Sequence, residues 1–135
     1  MNIGVHAILY TPSPLKIVLL KRNASAPTNP GLWSLPGGTV EGAEYALDCL
    51  VRELEEECNV KPLELKSFAE WKVNNNMVVF YTSPIDIMKH TCYLSSESDG
   101  IGLFDFDEVI RLPICKEHQL AIECWIMLEE QNEYK

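Results

Sequence analysis

The chain has 135 residues, 47% of them apolar, and a formal net charge of −9. That length suits one domain, residues 1–135, with a core of its own, and is too short for two. The acidic balance disfavours a nucleic-acid polymer as partner, because the basic residues, such as Lys16, Lys21, Arg22, Lys61, Lys66 and Lys72, form no dense block, and no run of about 18 apolar residues is present to span a membrane.

In chain order, Ile3–Tyr10 is largely apolar and β-prone, and Lys16–Leu20 is a second strand candidate. Thr11-Pro12-Ser13-Pro14 makes the turn between them. Asn23–Gly31 is a polar loop. Leu32-Trp33-Ser34-Leu35 follows and runs into Pro36-Gly37-Gly38. The strongest helix signal covers Glu44–Cys58. Leu63–Val73 and Met77–Thr82 read as strands around an Asn74-Asn75-Asn76 turn. Gly100–Phe104 is a short strand and Asp105–Arg111 a short helix with an acidic first turn. Lys116–Gln131 is an amphipathic helix with Leu120, Ile122, Trp125, Ile126 and Leu128 as its apolar surface, and His118 on its outer face. Strands and helices mix without regular alternation, which predicts a mixed sheet with helices on both faces.

The five cysteines, Cys49, Cys58, Cys92, Cys115 and Cys124, are odd in number and include no CxxC pair. No zinc site is expected. The N-terminus reads as a strand rather than a signal peptide, so free thiols and a cytoplasmic setting are the expectation.

On a helical wheel of about 100° per residue, Leu47, Leu50, Leu54 and Cys58 share one arc, with Val51 at its edge; this arc is the predicted core face. Glu53, Glu56 and Glu57 share another. Like charges at i,i+3 and i,i+4 weaken a helix by a few tenths of a kcal/mol per pair, roughly, and these lie where the helix dipole disfavours negative charge. A hard divalent cation with oxygen ligands would relieve both effects. Ala46 and Cys49, on the same arc, are small enough to let another backbone approach. Arg52, four residues before Glu56, can hold that carboxylate. Such acidic runs more often mark a solvated face, but Pro36-Gly37-Gly38 and Gly42 ahead of the helix allow close approach of a ligand to the main chain.

The run "GTVEGAEYALDCLVRELEEECNV" resembles the Nudix box, Gly-x5-Glu-x7-Arg-Glu-U-x-Glu-Glu-x-Gly-U with U aliphatic. The match rests on Gly38, Glu44, Arg52, Glu53, Leu54, Glu56, Glu57 and Val60, and "GLWSLPGG" looks like the usual approach to the box. Two positions depart. Asn59 replaces the glycine that ends the helix, and Asn is the next best residue for a left-handed turn. Ala43, rather than Gly, precedes Glu44. The resemblance implies an α/β fold, an α/β/α sandwich with a mixed β-sheet and a loop-helix-loop box. It further implies Mg2+ or Mn2+ held by Glu53, Glu56, Glu57 and the Gly38 carbonyl, with Arg52 orienting a carboxylate. The general base is then a box glutamate or a downstream acid, for which Glu97, with Asp99 behind it, is the candidate.

The reaction implied is hydrolysis of a pyrophosphate bond in a nucleoside diphosphate derivative. The default substrate is a (d)NTP or modified nucleotide, giving a monophosphate and pyrophosphate. Alternatives are ADP-ribose, nucleotide sugars, dinucleoside polyphosphates, or an inactive Nudix fold used for binding. A calcium-binding acidic domain is disfavoured, since no EF-hand type loop is present. Arg22 and Lys21 are candidates for phosphate and Gly37 and Gly38 for close approach of substrate. Trp33, Trp71, Phe80 and Tyr81 are candidates for stacking on a base. The expected partner is a small nucleotide, and the expected assembly a monomer or homodimer.

Overall fold

The computed structural model describes residues 2–62, 64–86 and 98–133. Its frame is a seven-stranded sheet of β1 (Ile3–Pro12), β2 (Leu15–Arg22), β3 (Trp33–Ser34), β4 (Gly37–Thr39), β5 (Lys66–Val73), β6 (Asn76–Pro84) and β7 (Ser98–Phe104). The helices are α1 (Ala46–Cys58), α2 (Phe106–Val109) and α3 (Lys116–Glu133). β1 runs parallel to β6, and the other strand pairs are antiparallel, so the sheet is mixed. Among the described residues no helix is long and apolar enough to cross a membrane.

Strand alternation divides the core in two. Val5, Ala7 and Leu9 of β1, with Val18 and Leu20 of β2, pack against Cys49, Leu50, Leu54 and Cys58 of α1. Ile8, Ile17, Leu19 and Phe80 point the other way, onto Ala121, Ile122, Trp125 and Ile126 of α3 and Val109 of α2. This is the expected α/β/α sandwich.

The hairpin of β1 and β2 pairs only at Tyr10↔Ile17, Thr11↔Lys16 and Pro12↔Leu15. Beyond Tyr10 the same edge of β1 pairs instead with β4, Gly4↔Thr39 through His6↔Gly37, while β2 pairs with β3 at Leu20↔Ser34 and Lys21↔Trp33. The segment from Trp33 to Thr39 therefore occupies the fork between the two strands. Pro36-Gly37-Gly38, expected as a loop, is in part a strand. Its pairing partner is distant in sequence, so no local pattern announces it.

Two packing expectations are corrected. Leu47 is not core but 45% exposed, although Leu50, Leu54 and Cys58 on its arc are buried, and Cys49, on the acidic arc, is buried too. On α3, Leu120 and Leu128 are exposed and His118 is buried. His118 lies four residues before Ile122 and seven before Trp125, on the arc that faces the sheet. Asn59 ends α1 with φ 54° and ψ 40°, its N–H donating to the Glu55 carbonyl at 3.1 Å, so the turn that usually needs glycine is made by asparagine.

Candidate active site

α1 delivers the acidic arc. Leu50, Leu54 and Cys58 are sealed in the core, which turns Glu53, Glu56 and Glu57 toward β4 and the solvent at its edge. The Arg52 guanidinium joins three carboxylates: Nη2 to Glu44 Oε1 at 2.9 Å, Nη1 to Glu53 Oε1 at 3.0 Å, and Nη1 to Glu56 Oε2 at 3.3 Å. Glu44 stands just ahead of α1, where its Oε1 also accepts from the Glu41 N–H at 2.9 Å. The hydrogen bond from Arg52 pushes the Glu44 carboxyl down to about 2 and raises the Arg52 guanidinium. The Cys49 thiol beside them is pushed up to about 11 by burial and by Glu44.

The glycines of β4 meet this arc. Gly37 donates its N–H to Glu57 Oε1 at 2.8 Å. At φ 153° it is in a region that side chains rarely adopt, and a Cβ there would overlap the Val5 carbonyl oxygen. At Gly38 a Cβ would stand 2.6 Å from Glu53 Cδ and 2.8 Å from Oε1. The missing side chain at Gly38 is thus the space that the Glu53 carboxylate occupies.

As the side chains stand, no three acidic, His or Cys groups among the described residues are gathered as ligands around one point. Glu53 and Glu56 lean on Arg52, and Glu57 on Gly37. The donor chemistry nevertheless fits a hard divalent cation: it is all oxygen, it lies on one arc, and it faces a main chain stripped of Cβ atoms.

Beside β4 opens a cleft of about 560 Å³, bordered by Gly4, His6, Thr39, Asn76, Glu117 and His118 among others. Of the residues singled out for substrate, Arg22 holds the polar loop, donating from Nε to the Thr28 carbonyl at 2.8 Å and from Nη2 to Thr28 Oγ1 at 3.0 Å. Trp33 packs edge-on against Phe104 at 5.1 Å, away from the cleft lining. Phe80 is a correction: it is fully buried, with Trp71 at 5.0 Å and His118 at 5.6 Å, so no base can stack on it. It lies mid-strand in β6, between β1 and β5, and its side chain joins the cluster beneath α3, which makes it core. Tyr81 faces the α1 core. Asp99 accepts from the Ala24 N–H at 3.3 Å, and Glu97 lies outside the described residues.

Two residues at this cleft were not among the expected site residues: His6 was not singled out and His118 was assigned to an outer face. His6 and His118 face each other with ring centroids 4.3 Å apart, and His118 Nδ1 accepts from the Leu35 N–H at 3.0 Å. Burial pushes His6 down to about 4 and His118 well below its ordinary value. Their periodicity was the available signal: His6 alternates with Ile8 on the α3 face, and His118 is in step with Ile122.

The NUDIX domain family model matches residues 2–126. No curated protein matches by sequence. Among solved structures, the chain is similar to the NUDIX domain of Shewanella oneidensis NrtR complexed with ADP ribose, with TM-score 0.77 and 24% identity, over 90% of this chain and 83% of that one. It is also similar to a MutT from work on Aliivibrio salmonicida and Vibrio cholerae, with TM-score 0.79 and 20% identity, over 94% and 98%. For the MutT NUDIX hydrolase of Burkholderia pseudomallei the values are 0.77 and 21%, over 90% and 95%. With the box residues assembled around Arg52 and the matched model spanning nearly the whole chain, the protein belongs to the NUDIX family of hydrolases.

Proposed function

We propose that this chain is a divalent-metal-dependent pyrophosphohydrolase of nucleoside triphosphates or modified nucleotides, releasing a monophosphate and pyrophosphate. The observation that carries the reading is the meeting of Glu57 with Gly37 and of Glu53 with Gly38 across the α1–β4 contact, with Glu56 on the same helix arc and tied to Glu53 through Arg52. Mutually repelling carboxylates on one arc, facing bare glycines, suit a cation and a polyphosphate better than they suit a solvated helix.

Glu53, Glu56, Glu57 and the Gly38 carbonyl would hold Mg2+ or Mn2+, which when bound offsets the charge on the phosphate oxygens and lowers the pKa of a coordinated water. Arg52 is positioned to keep Glu53 and Glu56 oriented, and Glu44 in turn fixes Arg52. The cleft beside Thr39 is the place for the nucleoside, with Glu117, Asn74 and Asn76 supplying polar edges and neutral histidines its floor. Arg22 stays a phosphate candidate only if it leaves Thr28. The general base is a box glutamate or Glu97. Cys49, Cys115 and Cys124 are free thiols, which supports a reducing, cytoplasmic setting.

The test is a phosphate-release screen with and without magnesium or manganese, covering (d)NTPs, nucleotide sugars, ADP-ribose and dinucleoside polyphosphates. Metal-dependent cleavage of a triphosphate to monophosphate is the expected result. Preference for ADP-ribose would redirect the substrate while keeping the site. No turnover of any of them would leave a binding module.

A further inference from the structure

Four consecutive residues in the β1–β2 fork, Leu35–Gly38, carry the approach to the site, and α1 and α3 each hold one of their N–H groups. From α1, Glu57 Oε1 accepts from Gly37 at 2.8 Å. From the opposite face of the sheet, His118 Nδ1 of α3 accepts from Leu35 at 3.0 Å, in a buried contact 83 residues distant in sequence. Between them, the Ala7 N–H donates to the Pro36 carbonyl at 3.0 Å. His6, its ring tilted against that of His118 at 4.3 Å, backs the same turn: a Cβ at Gly37 would come within 2.6 Å of His6 Nδ1, which is buried and has no hydrogen-bond partner among the described residues.

We propose that His118 is a positioning residue, which from the α3 side fixes the main chain of Leu35–Gly38 so that Gly37 and Gly38 meet Glu57 and Glu53 on the α1 side. The inference rests on the reading of that site as the hydrolytic centre. Its physical basis is geometric. Pro36 has no N–H, so beside the β4 pairing of Gly38 with Val5 the N–H groups left for side-chain anchors are those of Leu35 and Gly37. Leu35 is itself sealed in the α3 core, so an unpaired N–H there would be costly. An acceptor at Nδ1 places the ring proton on Nε2 and requires a neutral ring. Burial, with His6 and Arg22 nearby, favours that neutral form.

The experiment uses the full chain with His118→Leu, His118→Asn and His118→Gln. Asparagine carries its amide oxygen the same number of bonds from the backbone as Nδ1, whereas glutamine carries it one further. Amide spectra of 15N-labelled protein without metal supply the first readout. In H118L the Leu35 amide proton should move to higher field, and the Gly37 and Gly38 amides should shift with it. H118N should restore all three. The second readout is turnover and apparent magnesium affinity: roughly a 10- to 100-fold loss in H118L, the range typical of residues that orient metal ligands, and recovery in H118N but not in H118Q. Should H118L fail to fold, the Asn and Gln pair is read in the same way. Unchanged Gly37 and Gly38 amides, or equal behaviour of Asn and Gln, would overturn the proposal. A wild-type chain that hydrolyses nothing would overturn the functional reading instead, and the amide comparison would still decide whether His118 sets the turn.

Discussion

Gly38→Ala separates the fold from the chemistry at a single atom. The added Cβ would lie 2.6 Å from Glu53 Cδ, 2.8 Å from Oε1 and 2.9 Å from Cγ, all of them in a side chain that can rotate away. No backbone atom is among these contacts. Gly38, unlike Gly37, is not held at positive φ. Moving Glu53 off its rotamer costs about 0.5–1.5 kcal/mol, so a chain of this size should lose only a few degrees in Tm. Activity should respond differently under the proposed metal site, because the Glu53 carboxylate would leave both that site and its 3.0 Å contact with Arg52. A ligand to a cation that stabilises transition-state charge by several kcal/mol corresponds to roughly a hundred- to thousand-fold in rate at about 1.4 kcal/mol per decade. The assay is turnover at saturating magnesium beside thermal unfolding without metal. Gly37→Ala is the control, since its Cβ meets the Val5 carbonyl oxygen rather than a movable side chain and should cost folding stability first. A folded Gly38→Ala with near-normal turnover would refute the assignment of Glu53 to the metal.

Leu54→Ala, at a fully buried site, should lose about 2–5 kcal/mol, while Leu47→Ala, 45% exposed, should stay within about 0.5 kcal/mol; equal losses in urea titrations would contradict the packing described. Glu56→Gln should leave metal-free stability nearly unchanged, because Arg52 keeps Glu44 and Glu53, yet lower magnesium-dependent hydrolysis by orders of magnitude; marked apo destabilisation would make Glu56 a structural ion-pair partner instead. Glu97→Gln should slow turnover without weakening magnesium binding if Glu97 is the base, and unaltered kcat would return that role to a box glutamate. Because His6 and His118 are held neutral, the unfolded chain binds more protons below pH 6.5. Stability should therefore fall as pH drops from 6.5 toward about 4, by roughly 3 kcal/mol for His6 alone. The decline should be shallower in His118→Asn, and identical slopes would show that the pair does not carry it.

The box helix was legible apart from its start, at Ala46 rather than Glu44, and the burial of Leu47. Its charge spacing, the small residues Ala46 and Cys49, and the left-handed tendency of Asn59 are local properties, and local sequence reports them directly. The same holds for the strands around the Asn74–Asn76 turn, which appear as β5 and β6. A wheel, however, cannot say how wide the buried arc is. Leu47 stays 45% exposed beside the buried Leu50 and Leu54, while Cys49 on the neighbouring arc is buried in the core that α1 forms with β1 and β2, elements that the wheel does not contain. Phe80 illustrates the same limit: an aromatic residue in a strand is equally suited to core or to stacking, and only the packing of α3 on that face closes it off. The fork between β1 and β2, the strand character of Gly37–Thr39, and the clasp from His118 to Leu35 all join residues far apart in the chain. Sequence by itself determined which helix carries the carboxylates and which glycines precede it. Only the tertiary structure decided that α3 reaches through the sheet's far face to the turn bearing those glycines, because hydrogen bonds between distant segments depend on where the whole core places their ends.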